Sequence, residues 1–213
     1  MEPLRAAVVI DYQNVHLTGV TLFKRGLPLH EHLIHPLRFA NKLIEQRNAT
    51  QKPGFPPAVL SKVLVFRGLP SSTYDPGPYG RNLAQKSAWE RDPRVEVTHR
   101  ALKYKLARNG DGSKAKDESG EYIIESKQEK GIDVLCALAL VQQASRKDID
   151  LVILCSQDTD LEPALDMVMT ERSANVETFA WFDPKQFWSK SIRPSKGNIW
   201  NTRMDQSAFS ASC

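Results

Sequence analysis

The sequence predicts an α/β protein built on an open, mostly parallel sheet with helices on both faces. Three observations predict it. Residues 6–10 (AAVVI) and 151–155 (LVILC) are continuous apolar runs, the mark of strands covered on both sides. Such runs alternate along the chain with segments of helical spacing. Acidic residues stand just past the ends of two of the runs, directly after the first and three residues after the second, where sheets of this kind bind ligands.

Taken in order, residues 6–10 give the first strand, ending at Asp11, and Asp11-Tyr12-Gln13-Asn14 reads as a loop above the sheet. Leu37, Ala40, Leu43 and Ile44 space a helix over 37–46, with Pro36 suited to its first turn. QKPGFPP breaks the chain before a second strand at 59–66, and GLPSSTYDPGPYG reads as a turn-rich loop. A helix over 81–89 and an alternating strand over 95–102 follow. Residues 107–121 are polar and interrupted by Gly, as in a hairpin or surface loop. The remaining elements are a helix over 130–144, a strand over 151–155, a helix over 161–169 and a strand over 176–181. This order, β-α-β-α-β-α-β-α-β, calls for right-handed crossovers. A single domain over 1–182 is expected, with 183–213 as a C-terminal extension or tail.

The chain has 213 residues, 41% of them hydrophobic, enough for one substantial core. Its net charge of +4 and pI near 8.9 suit an anionic partner without demanding one. Between Arg81 and Lys116 ten basic residues face four acidic ones, which reads either as a phosphate-backbone track or as a solvated face. Cys136 and Cys155 lie inside apolar runs, Cys213 ends a polar tail, and no Cys has zinc-ligand spacing. The N-terminus runs straight into a strand without a signal-peptide pattern, and no apolar run nears the roughly 18 residues of a membrane span. The expectation is a reduced, cytoplasmic protein with no membrane contact.

The acids carry the chemistry. Asp11 after a strand is ordinarily a turn former or helix cap, but Asn14 lets the same loop aim two polar tips at one point. Asp158 and Asp160 follow the strand at 151–155, and Pro163 marks a helix start, so Asp160 or Thr159 would be its N-cap. Capping accounts for one acid and not for two. Asp133 shares a helix face with Cys136, Ala137, Leu140 and Ala144, and so stands at the end of a buried stripe. An unpaired charge there is costly and needs a metal, a basic partner such as Lys130, or a proton. Four carboxylates from three segments converging at one sheet edge would repel one another unless a divalent cation neutralised them. All-oxygen ligation suits Mg²⁺ or Mn²⁺. His30, His32 and His35 lack paired acids at metal spacing, a structural role suits His16, and Asp166 reads as a solvated or packing residue.

IDYQNVHLTG at 10–19, EKGIDVLCALAL at 129–140 and ILCSQDTDLEPAL at 153–165 resemble the three signature segments of NYN domains. These belong to the PIN-like superfamily of metal-dependent nucleases. The stretch at 66–104 is similar to NYN proteins of bacterial type, so the resemblance covers about residues 6 to 182. It implies a three-layer α/β/α, Rossmann-like PIN-type fold with a five-stranded sheet in the order 3-2-1-4-5. By the same resemblance Asp11, Asp133, Asp158 and Asp160 match the metal acids, Asn14 the Asn of the first loop, and Lys130 and Ser156 supporting positions. Some NYN proteins carry a further Asp six residues after the helix acid, where this chain has Ala139.

The expected activity is hydrolysis of RNA by a Mg²⁺- or Mn²⁺-dependent endoribonuclease, with one or two ions on the four aspartates and Asn14 orienting water or phosphate. The resemblance implies products with a 5′-phosphate and a 3′-hydroxyl. Arg67, Arg81, Arg100 and the basic 103–116 loop are backbone contacts to look for, and Tyr12, Tyr79 and Trp89 either stack on bases or pack in the core. The rival readings are an inactive NYN module that binds RNA or regulates, and a scaffold whose acids only cap helices. A phosphatase would need D-x-D at the first strand, and a dinucleotide enzyme G-x-G-x-x-G; the chain has neither there. A homodimer stays open.

Overall fold

Residues 4–11, LRAAVVID, form β1 (Leu4–Asp11), and no side chain from Ala6 to Ile10 meets water to any extent. Ala6, Val8 and Ile10 enter one core cluster and Ala7 and Val9 the other, as two-sided burial of a continuous apolar run requires. The structure, a computed structural model, describes residues 2–26, 32–171, 174–185 and 191–213. Of the histidine group near position 32, His30 lies outside the described residues.

β1 pairs in parallel with β2 (Ala58–Leu69) and, on its other side, with β6 (Leu151–Cys155). β3 (Val95–Ala101) joins β2, β7 (Asn175–Trp181) joins β6, and β8 (Asn201–Met204) joins β7, all in parallel. The order is β3-β2-β1-β6-β7-β8. Its first five members keep the expected 3-2-1-4-5 arrangement; the expected count of five is corrected to six by β8. That strand is only four residues long, too short for a readable period, yet Thr202 and Met204 are fully buried. The helix after it, α6 (Gln206–Ser212), drives Phe209 into the aromatic group of Phe23 and Trp181.

Three layers result. Helices α1 (Tyr12–Phe23) and α2 (Pro36–Thr50) cover one face together with α6. Helices α4 (Ile132–Ala144) and α5 (Glu162–Glu171) cover the other. The stretch after Asp11 is helix where a loop is expected. Asp11 itself caps it, and Tyr12, Val15, His16, Gly19 and Val20 form the buried face. Likewise α3 (Pro76–Trp89) begins five residues before the expected start at Arg81. Pro76 opens its first turn, where the missing N–H costs nothing.

The polar stretch near 107–121 is part of an antiparallel arm formed by β4 (Lys103–Leu106) and β5 (Ile124–Gln128), outside the main sheet. At the amino edge of the sheet Arg47 of α2 meets Glu177 of β7 at 2.8 Å, both nearly free of solvent. Arg47 also donates to Gln51 Oε1 and to the Pro56 carbonyl, each at 2.9 Å. Among the described residues no helix is long and apolar enough to cross a membrane.

Candidate active site at the carboxyl edge of the sheet

Strand register builds the site. Ile10 is level with Cys155, so Asp11 and Ser156 emerge side by side as β1 and β6 end. The fully buried Ser156 hydroxyl donates to Asp11 Oδ2 at 3.2 Å and accepts from the Asp158 N–H at 3.1 Å. Asp11 Oδ1 accepts from the Asn14 N–H at 3.2 Å, and Asn14 Oδ1 accepts from the Gln157 N–H at 2.8 Å. The β1–α1 and β6–α5 connections are thus stitched together through three polar side chains.

Asp158, not Asp160 or Thr159, is the N-cap. Its Oδ1 accepts from the Asp160 N–H at 3.0 Å at the head of a short 3-10 turn, Thr159–Leu161, that precedes α5. The turn places the cap one residue before Thr159, and Asp160 is left exposed. Asp133 sits in the first turn of α4, above the buried Cys136 and Leu140. It is half-buried and not stranded in the apolar interior as the stripe suggested, because the helix start opens at the sheet edge.

Asp11 is 6% exposed, and its carboxyl is pushed up to about 6. Burial is the main cause; Asp158 and Asp133 add to it, while the Asn14 N–H and the Ser156 hydroxyl oppose it. Glu129, which the sequence reading left without a role, belongs to the same group. Its carboxyl is raised by burial and by Asp11, and lowered by the Gly68 N–H that it accepts at 2.5 Å and by Arg67. The signal available was its place in the EKGID segment, four residues ahead of Asp133. The Gly68 backbone lies against the Glu129 and Leu102 side chains, and a Cβ there would displace both. Cys136 reports the same convergence: its thiol is raised by burial and then by Asp11, Asp133 and Glu129 together.

Asp11, Asp133, Asp158 and Glu129 therefore share one electrostatic neighbourhood, and among the described residues none of them forms an ion pair with Lys, Arg or His. Asp160 does not figure among the charges acting on Asp11. Among the described residues, no three acidic, His or Cys side chains stand close enough together to chelate one ion directly. The donor set is nevertheless all oxygen and short of positive charge, which fits a hard cation that keeps part of its water shell.

The basic candidates divide. Arg67 and Arg81 line a cleft of about 510 Å³ beside the first turn of α1, with Gln13, His16, Asn82 and Gln85. Arg100 and Lys130 are exposed at the end of β3 and the start of α4. The Arg100 guanidinium lies against Gly131, whose φ of +75° lets the chain turn sharply into α4. Tyr12 and Trp89 are core residues and unavailable for base stacking: the Tyr12 hydroxyl donates to the Ile34 carbonyl at 2.9 Å, and the two rings are 5.1 Å apart. Arg67 covers the Tyr12 ring at 4.6 Å. Tyr79 is half-buried. Asp166 accepts from the Ser195 N–H at 2.8 Å, a packing role.

A parallel α/β sheet with buried and half-buried acids crowded at its carboxyl edge defines the class of protein. The NYN domain model matches residues 87–195, just over half of the chain, and the chain belongs to that family, within the PIN-like nuclease superfamily. The matched span holds Glu129, Asp133, Ser156, Asp158 and Asp160; Asp11 and Asn14 precede it. Among solved structures the chain is similar to a protein of unknown function from Vibrio parahaemolyticus, at 18% identity over 84% of each chain with a TM-score of 0.43. No curated protein matches it.

Proposed function

We propose that this chain is a Mg²⁺- or Mn²⁺-dependent ribonuclease of the cytoplasm, with the free cysteines Cys136 and Cys155 kept reduced in its core. The observation that carries the reading is the buried Asp11 carboxylate. It is crowded by Asp133, Asp158 and Glu129, and among the described residues no basic side chain forms an ion pair with any of the four. A divalent cation would offset the repulsion within such a group.

Asp11, Asp133 and Asp158 would hold the ion, with Asp160 and Glu129 at its periphery. Once bound, the ion supplies Lewis-acid polarisation of a phosphodiester oxygen and lowers the pKa of water. The protein's own residues prepare that site. Ser156 fixes the Asp11 carboxylate and favours its charged form. Asn14 locks the two connections together through its carbonyl oxygen, which leaves its amide nitrogen to donate to water or phosphate. Arg67 and Arg81 receive the RNA backbone in the cleft beside α1, and the exposed Arg100 and Lys130 offer further phosphate contacts at the end of β3 and the start of α4. Family resemblance gives the products a 5′-phosphate and a 3′-hydroxyl.

The test is Mn²⁺-dependent cleavage of single-stranded RNA by the purified protein. Asp158→Asn should abolish it while leaving the melting temperature equal or higher; a variant that still cuts would end the mechanism. Two observations favour a second reading, a non-catalytic NYN module that binds RNA: among the described residues the carboxylates are spaced too widely to chelate directly, and Ala139 stands where some NYN proteins have a further acid. Wild-type protein that binds RNA but shows no cleavage suppressed by EDTA would select it.

A further inference from the structure

The arm formed by β4 and β5 carries chemistry that the carboxylate site does not use. It is extended by antiparallel bridges between Arg108 and Lys114 and between Lys116 and Tyr122. Tyr104 and Tyr122 of the arm meet Tyr74, which lies just ahead of α3, with ring centroids 5.4 and 5.5 Å from it. All three rings are half-buried. The Tyr104 hydroxyl anchors the group, donating to Asp75 Oδ2 at 3.2 Å and accepting from the Ser71 N–H at 3.0 Å.

Cations lie over these rings. Lys114 Nζ is 5.9 Å from the Tyr74 centroid and 5.7 Å from that of Tyr122, and Lys116 Nζ is 4.8 Å from Tyr122. A hollow of about 490 Å³ opens here between Tyr74, Tyr104, Arg108 and Lys114. Lys105 on its wall is spoken for by Glu125 at 2.8 Å. Among the described residues Arg108, Lys114 and Lys116 have no carboxylate partner within ion-pair distance. Asp111 and Asp117 accept from Ser113 and Ser119 and close the arm's two turns, and Glu118 and Glu121 stand exposed at the second turn, outside ion-pair distance of these cations.

Unpaired cations beside partly open π-faces match a single nucleic-acid strand, whose phosphates take the charges while its bases stack. An acidic peptide would satisfy the lysines and leave the rings without a use. The arm also leaves the body at the catalytic edge. The Leu102 N–H donates to the Leu69 carbonyl at 2.9 Å, and β5 ends at Gln128, directly before Glu129. A strand held on the arm is led towards the carboxylates.

We propose that Tyr74, Tyr104 and Tyr122, with Arg108, Lys114 and Lys116, form an auxiliary binding site for single-stranded RNA. The choice of RNA rests on the proposed function, but the site binds without the metal and without catalysis. The experiment measures fluorescence anisotropy of a labelled single-stranded RNA of on the order of 12 nucleotides, in EDTA, across a salt series. Tyr122→Ala weakens binding by about fivefold or more, and Tyr122→Phe keeps it within about twofold. Replacing Lys114 and Lys116 with Ala lowers the slope of log affinity against log salt by about 1.4. The main thermal transition, set by the six-stranded sheet, stays in place in all three. Affinities within about twofold of wild type for both Ala variants overturn the proposal. So does poly-glutamate that displaces the RNA as well as unlabelled RNA does. Cleavage with Mn²⁺ is scored separately: binding lost in the arm variants, from a wild type that never cuts, sinks the nuclease reading and leaves this site standing.

Discussion

The Ser156 hydroxyl donates to Asp11 Oδ2 at 3.2 Å across the β1–β6 ladder, and that hydroxyl in turn accepts from the Asp158 N–H at 3.1 Å. One buried side chain thus links the first acid of the site to the segment that carries the next. It also acts on charge, since its hydrogen bond favours the ionised form of Asp11 against the burial that disfavours it.

Removing that hydroxyl should raise the Asp11 pKa further. In Ser156→Ala, the acid limb of the pH profile for Mn²⁺-dependent cleavage moves to higher pH, by about half a unit to one unit for the loss of one hydrogen bond to a charged group. The plateau at high pH falls less than the activity at pH 6. An unchanged acid limb would separate Asp11 from the ionisation that governs the rate.

Stability carries the same signature with a defined sign. The folded-state value for Asp11, about 6, lies above the ordinary 3.8, so the folded chain holds this proton more tightly than the unfolded chain. The contribution is fully present below about pH 4 and is lost as pH rises through 6, an effect of about 3 kcal/mol at most. Asp11→Asn, which cannot ionise, should melt higher than wild type at pH 7.5, by about 1–3 kcal/mol after some loss of capping. The two should converge near pH 4. Mn²⁺ should raise the wild-type melting temperature at pH 7.5 and leave the variant almost unmoved, read by thermal denaturation with and without the ion.

These residues also mark what a sequence alone makes legible. β1 and β6 stand out because five or more consecutive buried positions need apolar side chains throughout. Asp11 and the 158/160 pair then follow from their places after those strands. Helix α1 does not stand out, because His16 and Gly19 interrupt the apolar residues of its buried face and Asp11-Tyr12-Gln13-Asn14 has the composition of a turn. β8 is hidden by its four-residue length; the polar, Gly-interrupted 107–121 shows the tip of the arm, but its strands β4 and β5 alternate between exposed and half-buried positions without an apolar face. Glu129 is one acid in a charged run until the Gly68 N–H fixes it beside Asp11. That juxtaposition depends on two strands and a helix start meeting, which no local pattern records.

Far from the carboxylates, the Arg47–Glu177 pair offers a control. Both side chains are nearly free of solvent, and Arg47 has further acceptors at Gln51 and Pro56. Arg47→Ala strands a buried carboxylate and should cost about 3–5 kcal/mol by urea denaturation. Arg47→Met combined with Glu177→Leu should recover most of that, because no charge is then left alone. Neither change should alter cleavage kinetics well below the melting temperature. A double variant as unstable as Arg47→Ala would show that Arg47 matters through its contacts to α2 and Pro56 and not through the ion pair.

Glu129 gives the prediction opposite in sign to Ser156. Gln at 129 still offers an oxygen to the Gly68 N–H at the same position, so the turn should hold and the melting temperature change by less than about 1 kcal/mol. What disappears is a negative charge coupled to Asp11: the Asp11 charge raises the Glu129 carboxyl, and the repulsion between two such groups acts on both. In Glu129→Gln the acid limb of the cleavage profile should therefore move to lower pH, while Mn²⁺ affinity falls because the site has lost one negative charge. Both shifts are read from one set of rate measurements over pH and metal concentration. Were Glu129 only a brace for Gly68, neither the acid limb nor the metal dependence would move. A limb that stays in place while Mn²⁺ affinity falls would set Glu129 near the ion and outside the field of Asp11.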